Sequence, residues 1–586
     1  MRVEEDGLVL PYGGGAKPRG EAWTPRHVAA LLCKWAIRSA EDMVLDPGSG
    51  RGIFLFEAYR RMLELGATPS TARMNLFGIE KDPGSYRAMC ENLTPLFGGR
   101  MPNIRHGDLF EATFPSMDAV IGNPPYVRRW WLKDVGVLQE RIRERIGEIE
   151  LTRLTDLACY FIIYAADFLK PGGRLALVVT DGWMDAEYGK AFKRYLLSNF
   201  RLHALVAFES RVFENLLVRP VLLLAEKRDG SAKGASRGRT LFALLSRTGL
   251  ELKGRKQITL RQFEQAAVRS TVRDETELRP EEAWTPYFTA PQVYFHLSAQ
   301  TISVPLGELA ASRIGLQTFA KPFFILKPDQ LRALGLDEHH FRPIAVSSRD
   351  IRRPILVATD GPQNFLLCCD STTNELKGTS LLHYIQDWEK RELTPRGSAD
   401  KVIGVQNLPR LRRAGRVPWY NLWDEVRRRG SWPILLPRRI FRRYLAAWNV
   451  AGWVANENFI ELSPREDVLL EPFLAVLNSS FAELSLRVNA HLYGGGVYNL
   501  NPGNVGAVPL LDLRGLDIQG IKALRAAYEE FRRDGMRRAK LDAAVFRAFR
   551  VSPDLRAEVV AALAELQEAS LSIKSAGGAR HLPSLV

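Results

Sequence analysis

Cysteine is scarce in this chain, and the few cysteines present argue against two kinds of small, cross-linked domain. The 586 residues include five cysteines, an odd number, and none belongs to a Cys-x-x-Cys pair. Such pairs are typical of zinc ribbons, and an even set of cysteines is typical of disulfide-stapled secreted domains. We therefore expect no metal site, no disulfide framework and a reducing, intracellular setting.

Long apolar runs are also missing. Runs such as residues 175–179 and 221–225 are far shorter than the ~20 residues that a membrane-spanning helix needs. The first six residues end in three acidic ones and have no apolar stretch like that of a secretory signal. These features predict a protein that is not exported and has no membrane partner.

Acidic residues are outnumbered by basic ones. Lys and Arg total 81 against 66 Asp and Glu, which gives a formal net charge of +15. Much of the excess lies in residues 401–443, where twelve basic residues face two acidic ones and aromatic residues are interspersed. This stretch favours a polyanionic partner such as nucleic acid. A solvated surface with ordinary core aromatics is the alternative.

The hydrophobic pattern of residues 40–228 predicts an α/β fold. Short apolar or β-branched runs alternate with amphipathic ones, as expected of a βαβ series. Near-continuous apolar runs are typical of strands in a sheet that is covered on both faces. The predicted strands span residues 43–46, 75–80, 117–122, 174–180, 202–208 and 220–225, with helices such as 53–66 and 157–169 between some of them.

Two changes in composition predict domain boundaries. Residues 229–240 are rich in Gly, Ser and basic residues, which indicates a linker or exposed loop after a first domain at 1–228. Residues 241–512 contain short strand-like runs, prolines and arginines and are predicted to form a second domain. Residues 513–586 return to helical periodicity and are predicted to form a helical C-terminal tail.

A glycine-rich turn follows the first predicted strand. It runs from Asp46 through Gly48 and Gly50 to Gly52, and a helix N-terminus after it would offer N–H groups to a ligand. The sequence lacks Gly-Lys-Ser/Thr, which disfavours ATP chemistry, and the glycine spacing differs from that of dinucleotide folds. The Asp46 carboxylate would repel a pyrophosphate and suits a cationic, amino-acid-bearing ligand such as S-adenosylmethionine (SAM).

Two more acidic residues extend this candidate cofactor site. Glu80 ends the next predicted strand, where its carboxylate can accept both hydroxyls of an adenosine ribose, from NAD and SAM alike. Asp108 follows a short predicted strand and could accept an adenine amino hydrogen, while Phe110 could pack on the ring.

The sequence Asn123-Pro124-Pro125-Tyr126, at the end of another predicted strand, decides the chemistry. Two prolines fix φ and remove two N–H donors, which presents Asn123 and Tyr126 rigidly at the sheet edge. Methylation of an amino group on an sp² carbon needs such a loop, because the nitrogen lone pair is delocalised. Asn123 Oδ1 and the Pro124 carbonyl would accept the two amino hydrogens, and Tyr126 would stack on a flipped base.

With these motifs in this order, residues 20–228 strongly resemble the gamma-class, TaqI-like adenine-specific DNA methyltransferases. The resemblance implies a Rossmann-like SAM-dependent methyltransferase domain, followed by a mixed α/β target-recognition domain. It implies methyl transfer from SAM to N6 of a flipped adenine in double-stranded DNA. The implied cofactor-binding residues are Thr24, Asp46, Gly48, Gly50, Gly52, Glu80, Asp108, Leu109, Phe110, Asn123 and Phe161, and the implied catalytic residues are Asn123, Pro124, Pro125, Tyr126 and Phe213.

The same resemblance implies a biological setting. We expect a cytoplasmic, nucleoid-associated protein of a prokaryotic cell that acts as a monomer on DNA in restriction-modification or phage defence. A separate restriction nuclease or defence-system subunits are the further partners that this setting implies.

Two clusters are expected to contact DNA. Arg128, Arg129 and Trp130 directly follow the Asn-Pro-Pro-Tyr sequence and would clamp the backbone beside the flipped base. In the basic stretch, cations would bind phosphates, and some arginines could read guanine edges. The predicted contacts there are Arg412, Arg413, Arg438, Arg439, Arg442 and Arg443.

The residues leave other functions open. Cytosine N4 and glutamine amides share the amino chemistry, although Asn123 favours adenine and the basic stretch favours DNA. Cytosine C5 methylation needs a cysteine nucleophile after a proline, which the sequence lacks. Asp370, Glu375 and Lys377 faintly resemble a metal nuclease motif, which would make a bifunctional restriction-modification enzyme. A DNA-binding module with a degenerate cofactor site is the non-enzymatic alternative.

Overall fold

The computed structural model divides the chain into two compact units, Met1–Thr289 and Ala290–Val586. The structure describes residues 24–99, 101–125, 135–147, 149, 151–152, 155–208, 220–229, 238–246, 258–395, 401–492, 496–534 and 536–577. Within those ranges, we find no helix with the length and apolar character of a membrane span.

The first unit is built on one sheet. Its nine described strands are β1 (Val44–Asp46), β2 (Leu76–Glu80), β3 (Ile104–His106), β4 (Met117–Gly122), β5 (Leu169–Thr180), β6 (Phe200–Phe208), β7 (Pro220–Lys227), β8 (Arg239–Leu245) and β9 (Ala267–Asp274). They lie in the order β3-β2-β1-β4-β5-β7-β6-β8-β9. The five strands β3, β2, β1, β4 and β5 are parallel to one another, and β7 is antiparallel to both β5 and β6.

Helices connect these strands and cover the sheet. The described ones are α1 (Arg26–Ala36), α2 (Ile53–Glu64), α3 (Pro69–Asn75), α4 (Pro83–Leu96), α5 (Val135–Ile146), α6 (Leu157–Asp167), α7 (Gly182–Asp185), α8 (Gly189–Asn199), α9 (Leu260–Ala266) and α10 (Pro286–Thr289). Ala119, Val120 and Ile121 of β4 are all fully buried, and successive strand residues point to opposite faces. The sheet is therefore covered on both sides, which confirms the predicted α/β fold.

Strands β8 and β9 continue the sheet past the predicted boundary at residue 228. β8 pairs in parallel with β6, and β9 forms the sheet edge. Phe242 of β8 is fully buried against Trp284 and Tyr287. The first unit thus differs from the predicted domain at 1–228, because apolar residues beyond that point complete its core and extend it to Thr289. Most of the predicted linker, residues 230–237, lies outside the described residues.

The second unit contains several small sheets. Its described strands are β10 (Ser303–Pro305), β11 (Ala310–Ile314), β12 (Ile325–Leu326), β13 (Phe341–Ala345), β14 (Ile355–Leu356), β15 (Phe365–Leu367), β16 (Glu392–Leu393), β17 (Val402–Ile403), β18 (Ile434–Pro437), β19 (Arg439–Ile440), β20 (Ala447–Asn449), β21 (Val454–Ala455), β22 (Phe459–Pro464), β23 (His491–Leu492), β24 (Tyr498–Asn499) and β25 (Pro509–Leu511). The largest sheet has the order β11-β22-β18-β20-β14, and a second has the order β12-β15-β13-β21.

Short and long helices pack on these sheets. They are α11 (Gln292–Ser298), α12 (Leu306–Leu309), α13 (Lys321–Phe324), α14 (Pro328–Ala333), α15 (Ser380–Lys390), α16 (Pro409–Arg413), α17 (Trp423–Arg429), α18 (Leu470–Leu477), α19 (Ser480–Val488), α20 (Ile518–Arg533), α21 (Arg538–Ala548) and α22 (Pro553–Gly577).

The C-terminal helices differ from the predicted separate tail. Residues of α20, α21 and α22 are buried in the same hydrophobic cluster as residues of β18 and α18. A buried carboxylate strengthens this connection, since Glu483 of α19 pairs with Arg487 of its own helix and with Arg538 of α21. The predicted helical character is confirmed, but these helices belong to the core of the second unit.

The fold predicts that Phe242→Ala destabilises the first unit. Removing a fully buried ring from β8 should lower its free energy of unfolding by about 3–5 kcal/mol. Chemical denaturation followed by circular dichroism measures the change. Val268→Ala on β9 is the control, because Val268 is 58% exposed and its truncation should change stability by under about 0.5 kcal/mol. Equal, small effects of both substitutions would contradict the placement of β8 in this core.

Candidate functional site

Two acidic side chains and one amide side chain lie together at the carboxyl ends of neighbouring strands of the first sheet. β1 lies between β2 and β4 and runs parallel to both, with Asp46 opposite Gly78 and Leu45 opposite Val120. The carboxyl ends of these strands therefore lie side by side. Asp46 ends β1, Glu80 ends β2, and Asn123 follows β4 directly. The sheet brings together the side chains expected to hold a cofactor and the one expected to hold a substrate amino group.

Asp46 is a buried acid with unused hydrogen-bonding capacity. Its side chain is fully buried, and its Oδ1 lies 3.4 Å from the Gly48 amide nitrogen, which donates to it. Its Oδ2 has no hydrogen-bond partner among the described residues. Burial raises the pKa of Asp46 to about 8, and the nearby Glu80 carboxylate adds to the rise. A cationic ligand beside it would favour the ionised form.

Glu80 fixes the glycine turn to the neighbouring strand. One carboxylate oxygen accepts the Gly50 N–H at 2.7 Å, and the other accepts the Asp82 N–H at 2.7 Å. Each oxygen of an ionised carboxylate can accept more than one hydrogen bond. The carboxylate therefore has capacity for ribose hydroxyls as well, and that predicted contact stays a prediction.

Glycines permit close approaches within the turn. Gly52 is the N-cap of α2 at φ 88°, and a Cβ there would lie 2.6 Å from Leu93. A Cβ at Gly48 would lie 3.1 Å from the Phe161 ring, which in turn meets Phe110 edge-on with centroids 6.4 Å apart. The Phe161 ring thus lies beside the turn with Phe110 packed against it, and their packing on a cofactor ring stays a prediction.

Asp108 already has two partners within the protein. It accepts the Phe110 N–H at 3.1 Å and pairs with Lys81 at 2.8 Å on a partly exposed surface. Leu109 beside it is buried. The predicted contact with an adenine amino group would share this carboxylate with Lys81.

The end of β4 comes close to the acid of the glycine turn. Gly122 has φ 155°, and a Cβ there would lie 2.9 Å from Asp46 Oδ1. Asn123 follows it and donates from Nδ2 to Thr24 Oγ1 over 3.1 Å. Pro124 is buried and Pro125 half-buried. Tyr126, Arg128, Arg129, Trp130 and Phe213 lie outside the described residues, so their predicted roles remain predictions.

The part of the chain that contains the candidate site matches a known family. Residues 13–288 match the family model described as N-6 DNA Methylase. The chain is an adenine-specific DNA methyltransferase. The gamma-class assignment stays a prediction.

The methyltransferase is similar to type II methyltransferases and to a restriction-modification enzyme. The type II methyltransferase M.AccI of Acinetobacter calcoaceticus is 21% identical over 527 residues, covering 88% of this chain and 89% of that protein. The type II methyltransferase M.XhoI of Xanthomonas vasicola is 29% identical over 187 residues, but this covers 31% of either chain. The solved type IIL restriction-modification enzyme MmeI, in complex with DNA, has a similar fold, with a TM-score of 0.56, 13% identity, and coverage of 92% of this chain and 73% of that one.

The basic stretch of the methyltransferase divides into structural and exposed arginines. Arg416 pairs with Glu425 at 2.9 Å, and Arg429 pairs with Glu461 at 3.0 Å. Arg438, a predicted DNA contact, donates to the carbonyls of Leu500 and Glu457. These three side chains hold the second unit together. The other predicted contacts are exposed, namely Arg412, Arg413, Arg439, Arg442 and Arg443.

The structure adds two exposed arginines that the sequence analysis missed. Arg352 and Arg353 precede β14, and Arg442 and Arg443 precede β20. β14 and β20 are parallel neighbours, so both arginine pairs lie at the same end of adjacent strands. Arg443 accordingly donates to the Arg352 carbonyl. The sequence contains the corresponding signal, which is an Arg-Arg pair ahead of each of two short apolar runs. Only the pairing of the two strands shows that the arginine pairs are close together.

The nuclease-like residues of the methyltransferase have other contacts. Glu375 accepts hydrogen bonds from the Thr372 backbone N–H and hydroxyl at 2.6 and 2.8 Å, and so stabilises its own turn. Asp370 lies 3.9 Å from Arg427. In the ranges that the structure covers, no group of three or more His, Cys, Asp or Glu side chains could hold a metal ion.

We predict that Asp46→Asn stabilises the cofactor-free methyltransferase at alkaline pH. Asp46 ionises near pH 4 in the unfolded chain and near pH 8 in the fold, so its contribution to the free energy of unfolding is full below about pH 4 and is lost as the pH rises through about 8. Asparagine is neutral throughout. The variant should gain roughly 1–3 kcal/mol over wild type between pH 5.5 and pH 8.5 in denaturant titrations.

Asp82→Asn is the matched control for this titration. The backbone hydrogen bond from Ser85 lowers the pKa of Asp82 at the N-cap of α4, so its replacement should bring no alkaline gain. A stability difference between Asp46→Asn and wild type that does not vary with pH would contradict the buried, protonated state of Asp46.

Proposed function

We propose that the chain transfers the methyl group of SAM to N6 of an adenine at specific sites in double-stranded DNA, within restriction-modification or phage defence. The observation that carries this proposal is the close approach of Gly122 to Asp46, since a Cβ at residue 122 would lie 2.9 Å from Asp46 Oδ1. The Asn123 loop therefore begins beside the acid of the glycine turn. A methyl donor held at that turn would lie next to an amino group held by the loop. The similarity to type II methyltransferases supports the biological setting.

The residues around the turn fit SAM. Asp46 Oδ2 is a buried oxygen without a hydrogen-bond partner in the described structure, and it suits the ammonium of an amino-acid moiety. Glu80 would accept the ribose hydroxyls, while Phe161 and Phe110 would pack on the adenine of the cofactor. SAM, when bound, supplies an electrophilic methyl on a sulfonium. The chain's own residues orient the cofactor and exclude water from this edge.

The loop after β4 would activate the acceptor. An adenine amino nitrogen is poorly nucleophilic because its lone pair is delocalised into the ring. Asn123 Oδ1 and the Pro124 carbonyl would each accept one of its hydrogens, which favours a tetrahedral nitrogen with a directed lone pair. Positioning and desolvation of this nitrogen would supply most of the rate. Tyr126 and Phe213 would hold the flipped base between their rings.

The exposed arginines of the second unit would bind the DNA backbone. Arg352, Arg353, Arg442 and Arg443 form a local concentration of guanidinium groups, which bind phosphate oxygens well. Phosphate contacts fix the position of a protein on the duplex without reading its sequence. We assign this positioning role to the two arginine pairs.

Asn123→Ala tests the catalytic proposal. The substitution should lower the methyl-transfer rate by about a hundredfold to a thousandfold, since it removes a hydrogen-bond acceptor from the transition state. SAM affinity should change by less than about threefold. Plasmid DNA from a host without adenine methylation is incubated with labelled SAM, and the modified bases are mapped by long-read sequencing. N6-methyladenine at a defined sequence is the expected product.

Asn199→Ala, at the exposed end of α8, is the control and should keep the wild-type rate. Methylcytosine as the product would overturn the choice of base. An active Asn123→Ala variant would overturn the role of the loop.

Arg352→Gln combined with Arg353→Gln tests the DNA surface. Losing one or two phosphate contacts should weaken DNA binding and reduce the slope of log K against log[salt] by about 1–2. The rate at saturating DNA should stay unchanged, because no chemistry is touched. Arg332→Gln, exposed and paired with Asp329, is the control in the same unit. An unchanged salt slope in the double variant would remove these arginines from the interface.

A further inference from the structure

We propose that Thr24 is a positioning residue for Asn123. By accepting a hydrogen bond from Asn123 Nδ2, Thr24 sets the amide so that Oδ1 faces the substrate amino group. This inference rests on the proposed function. It gives Thr24 a different role from the cofactor contact that the family resemblance implies.

The hydrogen bond joins distant parts of the chain at the functional edge of the sheet. Asn123 Nδ2 and Thr24 Oγ1 are 3.1 Å apart, across 99 residues of sequence. Thr24 is 5% exposed, so its hydroxyl is shielded from water that would otherwise compete for the amide. Only the fold brings these two side chains together.

The backbone at Thr24 is fixed. The next residue, Pro25, is the N-cap of α1 with φ −58°, close to the value that its ring imposes. The Pro25 carbonyl accepts the Val28 N–H at 3.0 Å and so starts the helix. Thr24 therefore has little freedom to move away from Asn123.

Helix α1 is in turn held against the elements that carry the site. It packs on α2, the helix after the glycine turn, and on β4 and β5. Arg26 in its first turn donates to Glu57 of α2 over 2.7 Å, and the Glu57 side chain is 5% exposed. The Thr24 hydroxyl is thus fixed relative to both the cofactor turn and the end of β4.

The orientation of the amide matters because its two ends are chemically opposite. The oxygen of an asparagine side chain accepts hydrogen bonds, whereas its nitrogen donates two. The adenine amino group also donates two hydrogens, so only the oxygen can assist the transfer. A rotated amide would bring donor against donor and oppose binding of the base. Thr24 occupies the nitrogen side and thereby leaves the oxygen to the substrate.

Thr24→Val and Thr24→Ser in the full chain test this role. Valine keeps the shape and removes the acceptor, so the single-turnover methylation rate at saturating SAM and DNA should fall about tenfold to a hundredfold. The dissociation constant for SAM, measured by calorimetry, should stay within about twofold. Serine restores a hydroxyl and should recover the rate to within about threefold of wild type.

Two further variants serve as controls. Thr68→Val removes the hydroxyl that caps α3 in the same unit and should leave the methylation rate unchanged. Thr24→Ala should reproduce the loss seen with valine, and melting temperatures of all variants show whether either substitution unfolds the first unit. Loss of rate in a folded alanine variant, with rescue by serine, supports the positioning role.

Three results would overturn the inference. The first is a wild-type rate in Thr24→Val. The second is a rise in the SAM dissociation constant that matches the fall in rate, which would make Thr24 a cofactor ligand. The third is a serine variant as slow as the valine variant, which would make the hydroxyl irrelevant. A wild-type protein that methylates no adenine would instead refute the proposed function, and this inference with it.

Discussion

The absence of a side chain at Gly122 is the constraint on which the site depends. β4 must pass Asp46 of the neighbouring strand before it turns into the Asn-Pro-Pro loop, and a Cβ at residue 122 would lie 2.9 Å from Asp46 Oδ1. Gly122 also adopts φ 155°, where a larger residue would be strained. With glycine there, the end of β4 can lie close to the acid. The spacing of parallel strands, about 4.8 Å, then fixes the distance between cofactor turn and acceptor loop.

Burial of Asp46 lowers the stability of the cofactor-free fold and favours binding of a cationic ligand. A fully buried carboxyl whose pKa rises to about 8 increasingly disfavours the folded state as the pH rises from about 4 to about 8, because the unfolded chain can ionise there and the fold cannot. The Oδ2 of Asp46 forms no hydrogen bond with the described residues of the cofactor-free fold. A cationic ligand would reverse both effects, because it would pair with the charge in a place that water does not reach. Binding sites often contain groups that lower the stability of the ligand-free protein.

The sequence predicted the part of the fold in which periodicity and burial agree. All six predicted strands of the first sheet are present, since each is a near-continuous apolar run between turns. β8 and β9 were missed for two reasons. A Gly/Ser/basic segment precedes β8, and β9, the edge strand, carries charged residues such as Arg269 and Arg273 in place of an apolar run. An edge strand needs less apolar character because one side has no neighbour.

The sequence predicted those site residues that belong to a motif at the end of a single strand. It did not predict contacts between segments that are distant along the chain. Asp46 and Glu80 each end a strand and Asn123 directly follows one, so parallel pairing alone brings them together. The bond between Thr24 and Asn123 has no local signal, because a Thr-Pro pair indicates only a helix start. Arg352 and Arg443 are adjacent only through the pairing of β14 with β20.

Counting charges along the chain overstates how much of the basic stretch can meet DNA. The guanidinium groups of Arg416, Arg429 and Arg438 are directed at carboxylates and backbone carbonyls inside the second unit. Arginine suits this role because its planar group donates several hydrogen bonds at once. Without those three, the exposed positive surface consists of the other exposed arginines of residues 410–443. Arg352 and Arg353, from outside the stretch, add to it. The positive surface is therefore a product of the fold, and its composition follows from strand pairing as much as from sequence.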